Sequence, residues 1–302
     1  MKILCMGSFN QDMVYSVDHI AAGGETILAD KRSLYWGGKG LNQAVALARS
    51  YDRVYMAGMV NPQESDVRQF LRENRLHDDF LAFSDQPTGH AIICVDRNGQ
   101  NSITVFGGAN QNLTERYVQE TLSHFDAGDL ILIQNETNQL ETILRSAKAH
   151  NMLIAMNPSP FSEKLLQLPL ELVDYFLINE IEGYQLTGYH APREILQAAR
   201  KRFPNAVIIL TLGGAGAALA SEQGIFTHAA YDVSVVDTTA AGDTFTGYFL
   251  SGLARGLDAP AALEQASKAS AITVSRSGAT ASIPTLDEVL AFDKPLKNTP
   301  EL

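Results

Sequence analysis

The 302-residue chain is long enough for one large α/β domain or two smaller ones. Its formal charge of −11 and pI near 5.1 argue against a nucleic-acid or anionic-membrane surface, so a phosphate ligand would need local amides and a cation. Cys5 and Cys94 lie in apolar, strand-like runs without a metal-ligand partner and read as buried free thiols. The opening MKILCMG reads as a strand rather than a signal peptide, and no apolar run reaches about 18 residues, so a cytoplasmic protein is expected.

Residues 2–7 predict a buried first strand, followed by Ser8-Phe-Asn10-Gln-Asp12. A dinucleotide fold would want glycines where Phe9 and Asp12 stand. Asn10 and Asp12, two apart at a strand end, can point together toward a polyol, or they can form an Asx-turn. Residues 13–36 carry no helical pattern and predict a small exposed β element. Gly37-Gly-Lys-Gly40 then opens a helix over residues 41–48, with Asn42 in its first turn. No P-loop spacing occurs; the glycines around Lys39 fit either close approach of a ligand or a solvated turn.

Residues 54–58 predict a second strand and 64–74 a polar helix. Segments 89–95 and 102–106 form a hairpin around Asp96-Arg-Asn-Gly99, which can extend the 13–36 element. Strands at 130–134, 153–157 and 173–178, with a helix over 140–149, then predict βαβ units and a mainly parallel sheet. Their C-terminal ends carry Asn135-Glu136, Asn157-Pro-Ser-Pro160 and Asn179-Glu-Ile-Glu182. Asn179 and Glu182 suit either a hydrated Mg²⁺ or a helix cap. A strand over 207–212 ends in Gly213-Gly-Ala-Gly216, where a flat ring can approach the backbone or where the chain simply turns.

The stretch 233–250 reads as strand, small-residue turn and helix. Val233, Val235 and Val236 lead into Asp237-Thr-Thr-Ala-Ala-Gly242, and the helix starts near Asp243. Unpaired amides at a helix start attract an anion, and the small residues Ala240, Ala241 and Gly242 let it approach. Asp243 is placed to take a proton from an attacking hydroxyl, unless it is only a cap. A second helix over 259–274 and a loop, Gly278-Ala-Thr-Ala-Ser282, follow. The tail beyond Phe292 is expected to be loose.

Five segments in this order resemble the ribokinase family of carbohydrate kinases: Gly7–Asp12, Gly37–Gln43, Thr88-Gly89 with Gly108-Ala-Asn110, Asn179–Glu182 and Asp237–Asp243. The resemblance implies a single α/β sugar-kinase domain over 1–302 whose mainly parallel sheet is flanked by helices, with a discontinuous β-lid at about 13–36 and 89–106. It implies ATP-dependent phosphorylation of a small sugar, a free pentose such as D-ribose being the expected acceptor. Asp243 would be the base, and the amides of Ala240, Ala241 and Gly242 the anion hole. Asn10, Asp12, Gly38, Lys39, Asn42 and Glu136 would bind sugar hydroxyls. Asn179 and Glu182 would organise Mg²⁺ and phosphate, with Thr211, Gly213 and Gly216 along the nucleotide. Asp237, Thr239, Thr273, Gly278 and Ser282 match a K⁺ site, and the lid implies a homodimer. One departure, Met59-Val-Asn-Pro-Gln-Glu64, bears on substrate choice. A nucleoside kinase and a catalytically silent sensor are the other readings.

Overall fold

The computed structural model describes residues 1–300 and divides their strands between two sheets. β1 (Ile3–Met6) runs into β2 (Asn10–Val17) and β3 (Ala29–Gly37), and α1 (Lys39–Ala48) leads back to β4 (Val54–Val60). After α2 (Val67–Glu73) and β5 (His77–Phe83), β6 (Gly89–Val95) and β7 (Asn101–Phe106) form a hairpin. Beyond α3 (Glu115–Leu122) come β8 (Leu130–Gln134), α4 (Leu140–Ala149), β9 (Leu153–Asn157) and β10 (Tyr175–Asn179). The alternation continues through α5 (Glu180–Thr187), α6 (Pro192–Arg202) and β11 (Val207–Thr211). An antiparallel pair, β12 (Gly216–Ser221) and β13 (Gly224–Ala229), precedes α7 (Ala241–Ala254), α8 (Ala259–Val274) and α9 (Leu286–Leu290).

The large sheet has nine strands in the order β13-β12-β11-β10-β9-β8-β1-β4-β5. Every neighbouring pair from β5 across to β11 is parallel, which requires helical crossovers and covers both faces. Alternate residues therefore enter opposite cores: Ile3 and Cys5 pack with Leu41, Val45, Phe249 and Leu263, whereas Leu4 and Met6 pack with Val118, Ile143, Leu144 and Leu196. This geometry places the ends of β1, β8, β9, β10 and β11 side by side. Ser8, Gln134, Asn157, Asn179 and Thr211 thus reach one rim of the sheet.

The small sheet has the order β3-β2-β6-β7, with β2 parallel to β6 and antiparallel to β3. It includes the segments expected to form the lid and begins at Asn10, so one strand carries both a site residue and the lid. The sheet exposes Leu34, Tyr35, Ile92, Ile103, Val105 and Phe106, distributed over its two faces. Loop 61–66 ties this sheet to the large one, because Gln11 Nε2 donates to Glu64 and Trp36 Nε1 donates to Asp66 Oδ2 at 3.1 Å.

Two local expectations are corrected. Residues 233–236 form no strand: Val236 N–H donates to Val274 O at 2.7 Å, so the segment follows the end of α8 and leaves Val235 and Val236 exposed. The polar helix is shorter than residues 64–74, because Glu64 and Ser65 lie in turns closed by Asn61 and Gln63 carbonyls.

Candidate active site

α7 begins at Ala241, after Ala240 in the left-handed region at φ 60°, so Asp243 occupies the third helical position and is no cap. Ala241 N–H makes a long bond of 3.3 Å to Thr238 O, while the N–H groups of Ala240, Gly242 and Asp243 have no acceptor among the described residues. Two of the three amides expected to face an anion, those of Ala240 and Gly242, are thus free, and the Asp243 amide joins them. The small side chains and the helix dipole remain as expected.

The Asp243 side chain is only 7% exposed, and its orientation is fixed from α1. Asn42 Nδ2 donates to Oδ2 at 3.0 Å and Gln43 Nε2 donates to Oδ1 at 2.9 Å. These bonds hold the carboxylate where a hydroxyl proton can be transferred to it. Gln43 also donates to Asn157 Oδ1 at 3.0 Å and accepts from Gln134 Nε2 at 2.7 Å, which joins α1, β8 and β9 behind Asp243. Gln43 was legible only as part of a motif, since spacing gave no sign that it faces inward. Asn42 differs from its expected role only in part: its amide nitrogen serves Asp243, while its buried Oδ1 has no partner. That acceptor suits a sugar hydroxyl donor.

The other polar candidates converge from β1, β2 and β8. Ser8, which the sequence reading left unassigned, donates from Oγ to Glu136 Oε2, and Lys39 N–H donates to the same oxygen at 2.9 Å. Gly40 N–H and Leu41 N–H are bound by Ser8 Oγ and Ser8 O, so α1 spends its first amides on the protein. A Cβ on Gly40 would lie 2.3 Å from Ser8 N, which explains glycine at this approach. Gly38, at φ 94°, is the residue before α1 and turns the chain onto Ser8. Asn110 Nδ2 donates to Asn10 Oδ1 at 2.9 Å, fixing the Asn10 side chain.

Burial pushes the Asp12 carboxyl up to about 7, with help from the charges of Glu136 and Asp243. A raised carboxyl holds its proton more readily than an ordinary aspartate, and in either form Asp12 can hydrogen-bond a polyol. Burial likewise raises Glu136, opposed by the Ser8 hydrogen bond and the Lys39 charge. Burial disfavours the Lys39 ammonium, but the carboxylates of Asp243, Glu136 and Glu182 outweigh it and leave its pKa above the ordinary lysine value.

Lys39, Asn157, Glu182, Gly242 and Asp243 line a cavity of about 230 Å³, sized for a phosphoryl group and its surroundings. Asn179 and Glu182 form a reciprocal capping box: Glu182 N–H donates to Asn179 Oδ1 at 2.9 Å, and Asn179 N–H donates to Glu182 Oε2 at 3.0 Å. Glu182 Oε1 has no protein partner among the described residues and Glu182 lines that cavity, so capping and ion organisation are compatible. No three His, Cys, Asp or Glu side chains converge as a ligand set among the described residues. A Mg²⁺ held here would rely mainly on water and phosphate oxygens.

An adjoining cavity of about 250 Å³ is lined by Thr211, Gly213 and Gly216, together with Tyr231, Phe245 and Lys297, which the sequence reading did not identify. Thr238, Ala241 and Gly242 border both cavities and so connect a flat-ring site to the anion turn. At Gly216, φ is 124° and a Cβ would meet His228 O at 2.1 Å.

Asp237 accepts from Thr239 N–H at 2.9 Å and Gly278 N–H at 3.0 Å, bringing together two of the loops expected to hold a monovalent cation. The buried Thr273 hydroxyl instead donates to Thr244 Oγ1 at 3.1 Å, and Ser282 Oγ donates to Ala279 O at 2.7 Å. Their side chains are committed inside the fold, leaving backbone carbonyls as the available donors.

A model of the pfkB family of carbohydrate kinases matches residues 1–286. The chain is 36% identical, over 96% of its length, to a bifunctional ribokinase/ribose-5-phosphate isomerase A of Fructilactobacillus sanfranciscensis, of which it spans 55%. Against the crystal structure of ribokinase from Thermotoga maritima it is 32% identical with a TM-score of 0.85, over 96% of this chain and 98% of that one. Arabidopsis thaliana ribokinase complexed with ribose and ATP is 26% identical with a TM-score of 0.82, over 97% of this chain and 99% of that one.

Proposed function

The chain belongs to the pfkB family of carbohydrate kinases, and on that premise we propose that it transfers the terminal phosphoryl group of ATP to the primary hydroxyl of D-ribose. The observation that carries this reading is the buried Asp243 carboxylate, oriented by Asn42 and Gln43 beside the free N–H groups of Gly242 and Asp243. The ribokinase relatives and the complex with ribose and ATP support this choice of acceptor and donor.

In the proposed reaction the primary hydroxyl gives its proton to Asp243 as its oxygen bonds to the terminal phosphorus. The bond from that phosphorus to the β–γ bridging oxygen breaks, and ADP leaves. The free amides and the Lys39 ammonium face the charge on the transferred group. Asn10, Asp12, Asn42 and Glu136 bind ring hydroxyls, with the orphaned Asn42 Oδ1 as one acceptor. Bound Mg²⁺ would neutralise phosphate charge, and Asn179 and Glu182 would organise its water shell.

A site that bonds a hydroxyl rejects analogues lacking it, because its own polar atoms are then stranded. Ribose is expected to exceed 2-deoxyribose, fructose and adenosine in kcat/KM, and Glu136→Gln to lower the value for ribose. A tenfold preference for fructose or adenosine would contradict the acceptor, a difference of about 1.4 kcal/mol in transition-state binding.

K⁺ beside Asp237, Thr239 and Gly278 fits the all-oxygen donor set and would steady the anion turn. Rates are expected to be higher in K⁺ than in tetramethylammonium; equal rates would remove this cation from the proposal. The proposal includes a cytoplasmic homodimer joined through the small sheets, supported by the free cysteines and by the apolar surface around Leu34, Tyr35 and Ile103. Sedimentation as a monomer at micromolar concentration would contradict the pairing.

A further inference from the structure

At the opposite end of α1 and α7 from Asp243 lies a third cavity, of about 730 Å³, within the usual range for a small-molecule site. α1 presents Asn42 and Gln43 to the active site and ends at this cavity. Its 10 residues span about 15 Å, so the two sites are separate. Ser50, after α1, and Ser251, in the last turn of α7, share a hydrogen bond of 2.5 Å behind the cavity wall.

Four arginines line the cavity: Arg49, Arg53, Arg75 and Arg255. In a chain of net charge −11 this is a concentration of cations, and none of the four forms a salt bridge among the described residues. Asp52, Glu73 and Asp287 also line it, yet no carboxylate comes within 4.0 Å of these guanidinium groups. Arg49 is held in place by bonds to Ile283 O at 2.7 Å and Asn74 Oδ1 at 3.1 Å, and Arg255 donates to Gln265. Arg53 and Arg75 make no side-chain hydrogen bond among the described residues. Arg75 stands at φ 60° just past the end of α2, a position that glycine fills with less strain. Burial lowers the Arg49 pKa, and Arg276 and Arg75 push the same way against Tyr248 and Glu288. The four guanidinium groups are thus gathered with three carboxylates around the cavity but without a direct ion pair, and planar guanidinium forks match phosphate oxygens in pairs.

We propose that this cavity binds a small molecule carrying a chain of two or more phosphoryl groups, at a site distinct from the active site. The shared chemistry is the polyphosphate chain, whether free or attached to a nucleoside. Calorimetric titration of inorganic tripolyphosphate in 0.1 M salt tests it, with Lys39→Ala as background to weaken binding at the anion turn; about 0.1 M leaves a screening length near 10 Å. One site per chain is expected in that background, and adding Arg53→Ala and Arg75→Ala is expected to weaken it at least tenfold. The same series with ADP separates the sources once the active-site binding that survives Arg53→Ala with Arg75→Ala is subtracted: an arginine-dependent ADP site tighter than that for tripolyphosphate identifies a nucleotide, and an equal or weaker one identifies the bare chain. Arg53→Lys with Arg75→Lys keeps the charge without the fork and is expected to retain part of the affinity. Matching thermal melts establish that the variants are folded. No binding in the Lys39→Ala background, or binding unaffected by the arginine-to-alanine changes, overturns the proposal.

Discussion

Asp243→Asn is expected to lower kcat by about 10²–10⁴, the usual range for losing a general base, while sugar and ATP still bind. The substitution preserves shape and removes the proton acceptor. It also creates a local conflict, since Asn42 Nδ2 and Gln43 Nε2 donate to the two separate oxygens of Asp243. An asparagine amide can accept from only one of them, and its own NH₂ then faces a donor. A stability loss of about 1–3 kcal/mol is expected from the stranded group, without loss of the fold. Calorimetry for ligand binding, read beside steady-state turnover, separates the two effects. Near-normal kcat would contradict the role of Asp243.

Lys39→Met is expected to reduce kcat/KM by about 10²–10³, the scale of removing one preorganised donor to developing charge. The side chain keeps its length and loses only the ammonium. Three carboxylates, Asp243, Glu136 and Glu182, then lose their shared cation, and the already raised Glu136 carboxyl should rise further. The lost rate and the altered charge balance have one cause. The acidic limb of the pH profile of kcat/KM should therefore move upward in the variant. An unchanged rate and profile would show that Lys39 is a solvated surface lysine.

The parallel sheet was legible because β8, β9 and β11 are continuous apolar runs ending in polar turns, and the helices between them keep their period. β5 and α3 escaped notice: His77–Phe83 mixes charge with apolar residues at the sheet edge, and Glu115–Leu122 is short and polar. β12 and β13 are rich in glycine and alanine, so their pairing depends on neighbours rather than composition. Val233–Val236 shows the converse error, since a β-branched run without a partner strand remains extended coil. In the site, Asp243, Asn42, Glu136 and Glu182 were found by motif. The inward-facing amides Gln43 and Gln134 and the Ser8 clasp on Glu136 depend on contacts across more than 90 residues, as their separations of 91 and 128 show. The tight approach of Gly40 to Ser8 was visible only as a glycine cluster; its cause is the packing of α1 against the turn after β1.

The most direct test of the central claim is ³¹P NMR of the product formed from ATP and D-ribose. Transfer to the primary hydroxyl places the new phosphomonoester on a methylene carbon, so its resonance should be a triplet from two equivalent couplings, accompanied by ADP. A doublet would place the phosphate on a ring carbon bearing one proton. That result, or ATP left unconsumed by a folded enzyme supplied with Mg²⁺ and K⁺, would contradict the account.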